Sequence, residues 1–291
     1  MVDAYTGEIL GIWIGFKAPS RKACAMVIRD CTRRHGRLPE MIVVDGGKEF
    51  DSAHFRLMLA ELGIDRAERP PEDPRFGKEV ERAFGAFKER FLRGMPGYGI
   101  GNAKARQVSA AFKASKRASL TPETLLECFE KFIFHGYNNI PKGDSLHTPS
   151  EQRIEVMRKL KCCGRSVEWD FKLLLVTSIA APHEKYTLWP GRGVHVFDSW
   201  YCSDRLLAFR GNKKQIEVRL EPYDRSVVYV NAGAEWFPCF SQEYATNRSS
   251  DSDAVLMRTS ASHDLRELIN EIRLESDRRI AEIVNDQLQK A

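Results

Sequence analysis

The stretch Met41-Ile42-Val43-Val44-Asp45-Gly46-Gly47 constrains this chain more than any other. Four apolar residues without polar alternation read as a buried strand and the two glycines as an open turn, so the pattern predicts a strand delivering Asp45 to an exposed position at its C-terminal end. A second acid, Glu81, lies in Gly77-Lys78-Glu79-Val80-Glu81-Arg82-Ala83-Phe84, whose apolar spacing predicts the start of an amphipathic helix. Thirty-five residues separate the two acids. Singly, an acid before two glycines is a turn residue, and a glutamate in a first helical turn complements the helix dipole. Together, at the edge where an α/β sheet presents its functional groups, they fit two carboxylates sharing divalent cations.

The surrounding pattern alternates strand and helix. A hairpin turning at Tyr5-Thr6-Gly7-Glu8 leads into a strand with Ile12, Ile14 and Phe16 on one face, and Pro19-Ser20 opens a helix over residues 21–34 whose apolar face is Ala23, Val27, Ile28 and Cys31. A helix over 52–62, a short strand over 64–67 and the helix carrying Glu81 follow. This order predicts an α/β layer. Thr121-Pro122 and Thr148-Pro149 then open two further helices.

From about residue 167 the texture changes. Short strands are predicted over 169–176, 185–188, 194–197, 206–210, 215–220 and 227–231, separated by turns such as Pro190-Gly191-Arg192-Gly193, and together they suggest a small β-barrel. Residues 248–253 read as a linker, and Leu265, Ile269, Ile272, Ile280 and Ile283 fall on one face of a charged helix. The expected organisation is an α/β core over 1–120, a helical connection over 121–165, a barrel over 166–245, and a linker with a partner helix over 246–291.

At 291 residues the chain has room for two domains. It carries no apolar run of about 18 residues and no charged-then-apolar N-terminus, which excludes membrane-span and signal-peptide readings of these segments. Seven cysteines without a C-x-x-C pair read as reduced thiols, and adjacent Cys162-Cys163 lack finger-spaced partners for zinc. The expected setting is cytoplasmic. Net charge is +5, but between Arg82 and Ser119 nine Lys or Arg face one acid, Glu89. So lopsided a stretch suggests a polyanionic partner, with Lys104, Arg106, Lys113, Lys116 and Arg117 as candidate contacts to a nucleic-acid backbone.

Two motifs carry a family resemblance. The segment Val43-Val44-Asp45-Gly46-Gly47-Lys48-Glu49-Phe50 resembles the "VDNGxEF" segment of DDE transposases and retroviral integrases, and Gly77 to Phe84 resembles their "GxVERxF" segment at matching spacing. The opening Asp3 to Gly11, Pro19-Ser20, Tyr137-Asn138-Asn139 and Thr148-Pro149-Ser150-Glu151 are similar to further elements of that catalytic region. Residues from Gly193 to Asp224 resemble, more loosely, the C-terminal barrel of Mu-type transposases.

The resemblance implies an RNase H-like fold, a mixed five-stranded sheet flanked by helices, followed by the barrel and a C-terminal helix. It also implies Mg²⁺- or Mn²⁺-dependent cleavage of DNA 3′ ends and strand transfer. Asp45 and Glu81 would be catalytic acids and ligands of two ions, with Lys78 and Arg82 beside them on phosphates. Implied partners are double-stranded DNA (element ends and target), further copies of the chain, and a helper ATPase met by the C-terminal helix.

In that family the first catalytic Asp lies on the strand before the one opening this chain, and no residue here occupies it. Asp3 lies across the hairpin from the wanted position. The first sheet strand is therefore expected to be missing, through an internal start, a fragment or a degenerate copy, and the chain alone is expected to be inactive. A catalytically dead, transposase-derived DNA-binding protein is the alternative, and an unrelated RNase H-like nuclease a third.

Overall fold

The structure, a computed structural model, describes residues 1–15, 20–70, 77–98, 119–143, 145–160, 164–209, 211–233, 235–241, 267–268 and 271. The candidate backbone contacts Lys104, Arg106, Lys113, Lys116 and Arg117, the linker, and nearly all of the C-terminal helix lie outside them. No helix among the described residues is long and apolar enough to cross a membrane.

The chain opens with a tight turn rather than a full hairpin. Asp3 Oδ1 accepts from Tyr5 N, Thr6 N and Thr6 Oγ1, and a single bridge pairs Val2 with Ile9. Residues 11–15 form no strand; Ile12 N donates to Asp30 Oδ2 at 2.9 Å, so this stretch lies along the first helix instead of beside a sheet. Gly11 makes that approach possible, since a Cβ there would sit 2.8 Å from Val27 O. Helix α1 (Arg21–His35) ends at Gly36, whose left-handed backbone returns its N–H to Thr32 O. It is buried nearly all round, on Cys24, Met26, Ile28, Arg29, Asp30 and Cys31, a wider contact than the single apolar face expected.

Next come β1 (Arg37–Leu38) and β2 (Met41–Val44), then α2 (Ala53–Glu61), capped by Ser52 Oγ accepting from Phe55 N. β3 (Asp65–Glu68) pairs with β2 in parallel, Met41 opposite Asp65 and Val44 opposite Glu68. Among the described residues this sheet has two strands, fewer than the five-stranded sheet lacking its first strand that was expected; one of the expected strands, residues 11–15, is engaged with α1 instead. β2 is correspondingly not a buried strand: Met41 and Val43 are 55% and 47% exposed.

Helix α3 (Lys78–Arg90) packs onto α4 (Pro122–Glu130) and the π-helical turn Lys131–Gly136 that extends it. Phe87 of α3 and Phe91 at its C-terminal cap meet Phe129 and Phe132, and Ile9, Ala83, Ile133 and Tyr137 complete a small core there. Thr121 and Pro122 start α4 as the sequence requires, Thr121 Oγ1 accepting from Thr124 N. Helix α5 (Pro149–Leu160) begins with a reciprocal capping box, Thr148 N to Glu151 Oε2 and Glu151 N to Thr148 Oγ1.

β4 (Arg165–Ser166) pairs with β1. The expected strand over 169–176 is instead helix α6 (Phe171–Val176), because Asp170 accepts from Leu173 N and caps the run. After β5 (Ile179–Ala180) come β6 (Tyr186–Trp189), β7 (Gly193–Val196) and β8 (Ser199–Tyr201). The expected strand over 206–210 begins as a helical turn, α7 (Asp204–Leu207), capped by Ser203. β9 (Lys214–Leu220), β10 (Val227–Asn231) and β11 (Trp236–Phe240) follow, in the order β11-β10-β9-β6-β7-β8, with β5 also on β9. A bridge between Cys202 and Phe240 joins the two ends, so six antiparallel strands make a nearly closed barrel. Its interior is Leu188, Val194, Val196, Tyr201, Ile216, Val218, Val228, Val230 and Cys239.

The barrel does not stand apart from α1. One continuous core joins Met26, Ile28, Phe55, Leu59, Leu173 and Leu174 to Tyr223, Val227 and Tyr229 of the barrel. Through it runs a fully buried ion pair, Arg29 Nη1 to Glu221 Oε1 at 2.6 Å. Arg29 also donates to Thr177 Oγ1 and Leu174 O, while Tyr229 OH and Tyr223 N donate to Glu221. Every strong donor and acceptor of this pair therefore has a partner, which lets two charges be buried together.

Candidate functional site

The parallel register of β2 and β3 brings their C-terminal ends together. Asp45 leaves β2 there, exposed, with Oδ1 accepting from Gly47 N at 3.1 Å. Arg69 leaves β3 beside it, its N–H donating to Val44 O at 2.8 Å. The Arg69 guanidinium turns toward the start of α3 and meets Glu81 Oε1 at 3.4 Å. Gly77 is needed for this: its backbone is left-handed (φ 99°), and a Cβ would lie 2.7 Å from Arg69 Nη1. Arg69 thus bridges from the strand end that carries Asp45 to the helix that carries Glu81. Sequence reasoning passed over Arg69; the only signal was its position directly after a strand, before Pro70-Pro71.

The other sequence candidates are placed as follows. Lys78 is exposed at the first residue of α3. Arg82 donates to Glu79 Oε1 at 2.8 Å, the pairing that competes with a phosphate role. Glu79 faces the opening turn, its carboxylate near Gly7. Asp3 uses Oδ1 to hold that same turn.

The motif residues near the opening turn fasten structure. Asn138 accepts from Ile9 N and donates to Ile9 O, both at 2.9 Å. Lys142 donates to Gly7 O, and its burial brings the ammonium pKa down to about 8. Ser150 Oγ donates to Glu8 Oε1, and Arg153 lies 3.4 Å from Glu8 Oε2. Burial raises the Glu8 carboxyl, with Arg153 opposing. His35 sits between Leu10 O and Arg153 Nη1, and burial together with Arg153 lowers it to about 4. Its imidazole is therefore neutral, with Nε2–H donating to Leu10 O and Nδ1 accepting from Arg153.

Two carboxylates are the right donor type for Mg²⁺ or Mn²⁺. Among the described residues, however, no group of three or more His, Cys, Asp or Glu side chains could hold a metal ion. Asp45 and Glu81 by themselves are an incomplete set, and Glu81 already faces a guanidinium.

Against known proteins, residues 1–97 match the family described as the TnsB C-terminal domain. Over 105 residues the chain is 27% identical to the transposase for transposon Tn552 of Staphylococcus aureus, a stretch covering 34% of this chain and 22% of that protein. The family match contains Asp45, Arg69 and Glu81. Both similarities support a transposase relationship, and the family match covers the part that builds the strand edge.

Proposed function

We propose that this chain is part of a transposon transposase of the DDE, integrase-like type, acting on double-stranded DNA, with Asp45 and Glu81 as two of its catalytic acids. The observations that support this reading are that Asp45 and Arg69 follow adjacent parallel strands, that Arg69 pairs with Glu81, and that all three lie within the transposase-matching segment. An RNase H-like ancestry of that segment and a Mu-like ancestry of the barrel belong to the same reading.

The chemistry is DNA 3′-end cleavage and strand transfer. Divalent Mg²⁺ or Mn²⁺, when bound by a complete carboxylate set, would supply Lewis-acid activation of the attacking and leaving oxygens. Asp45 and Glu81 would offer ligand oxygens from a strand end and a helix start. Exposed Lys78 would take a phosphate oxygen, and Arg82 and Arg69 would do so by exchanging their present carboxylate partners. Lys104, Arg106, Lys113, Lys116 and Arg117 would add sequence-independent backbone affinity. Further copies of the chain on paired DNA ends, and a helper ATPase contacted by the C-terminal segment, are the partners this reading predicts, in a cytoplasmic setting.

The incomplete ligand set favours a second reading: a DNA-binding protein of transposase descent that does no chemistry by itself. One assay separates the two. Purified chain is incubated with Mn²⁺ and a pre-nicked element-end duplex, and both duplex retention and joined products are followed. Duplex binding without joining supports the non-catalytic reading; joining that Asp45→Asn abolishes supports the catalytic one. Absence of duplex binding sinks both.

A further inference from the structure

The outward face of the barrel carries an aromatic and cationic surface that neither the strand edge nor the family match accounts for. In β6, Leu188 points inward and Trp189, one residue on, points out. In the β7–β8 pair, Val194 and Tyr201 point inward, while His195 and Trp200 face each other on the outside. The rings form a continuous group: Trp189 and Trp200 meet edge to face at 6.3 Å, and His195 lies 5.1 Å from Trp200. Each indole carries a cation, Lys213 Nζ 3.5 Å from the centre of Trp189 and Arg192 Cζ 5.5 Å from that of Trp200.

At the tip of the same hairpin stands Phe197, half exposed and held at φ 53°. A two-residue hairpin asks for glycine or asparagine in that conformation, and a bulky aromatic there is strained. Such strain at an exposed aromatic points to a use for the ring. Asp198 is the acid of that turn.

We propose that this face binds unpaired nucleotides of DNA, bases stacking on Trp189, Trp200 and Phe197 while Lys213 and Arg192 take the adjoining phosphates. Resting on the DNA-directed reading above, the inference names the form of DNA. Duplex DNA hides its base faces and could use only the cations. Unpaired strands offer both the π-faces and the phosphates that this surface matches, and small barrels bind single strands by that combination.

The test is fluorescence anisotropy with a labelled thymidine oligonucleotide of about 20 nucleotides, a site-sized single strand, an abasic strand of the same length, and a duplex. The intact chain is expected to bind the thymidine strand at least about tenfold more tightly than the abasic one. Combining Trp189→Ala with Trp200→Ala should remove that advantage while duplex affinity stays within about twofold, which also shows that the variant is folded; stacking on an aromatic accounts for the size of the effect. Phe197→Gly should weaken the thymidine strand while leaving or raising the thermal midpoint. The proposal is overturned if the double variant keeps full thymidine affinity, if abasic and thymidine strands bind alike, or if thymidine and duplex affinity fall together. Duplex binding without single-strand binding rejects this inference and leaves the DNA-directed reading standing; loss of both rejects both.

Discussion

Val194 on β7 and Val43 on β2 are valines inside four-residue strands, yet the first is fully buried and the second is 47% exposed. The difference lies in what each sheet can do for itself. Six antiparallel strands curl until Cys202 meets Phe240, so the barrel makes its own interior from alternate side chains. The parallel pair cannot close. Parallel sheets are stable when both faces are covered, and here the core seals Val44 and, partly, Ile42, while Met41 and Val43 face outward. Burial is concentrated in the barrel and α1, and the candidate carboxylates stand on the sparsely covered edge.

The greatest effect is expected where the two regions are joined. Arg29→Met would leave Glu221 buried opposite an apolar side chain, costing about 3–5 kcal/mol in urea unfolding. Adding Glu221→Leu should restore most of that loss, since the burial penalty then disappears from both sides. A single variant that unfolds like the parent would show that the joint contributes nothing.

Next in size is the contrast itself. Leu188→Ala inside the barrel should cost about 2–5 kcal/mol. Val43→Ala on the open face should stay within about 0.5 kcal/mol, the range of ordinary surface changes. Equal losses at the two positions would mean that the outer face of β2 is covered in solution.

A pH effect should mark the α1–α5 contact rather than the barrel. His35 is held neutral, so below its ordinary value of 6.5 the unfolded chain takes up a proton that the folded chain refuses until about 4. Stability from this group is complete above 6.5 and is lost as pH falls toward 4. Arg153 and Arg34 press in that direction and Asp30 opposes it. Glu8, raised by burial, works the other way, gaining stability as it protonates. The urea midpoint of His35→Gln should therefore depend less steeply on pH across this window; an unchanged slope would remove His35 from the account.

The smallest stability effects belong to the edge. Asp45→Asn should change unfolding by less than about 0.5 kcal/mol, and Arg69→Ala by no more than about 1 kcal/mol, since its pair with Glu81 is largely exposed. Large losses at either would recast the edge as structural.

Much of the local structure was legible beforehand. Gly36 stops α1, Ser52 and Thr121 cap their helices, Thr148 and Glu151 form a capping box, and β10 runs over the predicted residues 227–231. These features depend on neighbours within four residues, and so does the delivery of Asp45 to a strand end. Short apolar runs were ambiguous, as residues 171–176 show, because one capping aspartate decides between strand and helix. The predicted strand ended at Leu188, so the outward position of Trp189 appeared only once three strands aligned their outer residues.

What sequence alone determined is the identity and spacing of the two carboxylates, the caps, and the existence of a strand-rich second half. Tertiary structure decided the rest. It buried Arg29 against Glu221 across nearly two hundred residues, paired Arg69 with Glu81, joined the barrel to α1, and left one face of β2 open. Each depends on contacts between segments far apart in the chain, whose pairing is fixed by the packing of whole elements and by burial of charge, and local residue pattern carries no record of either.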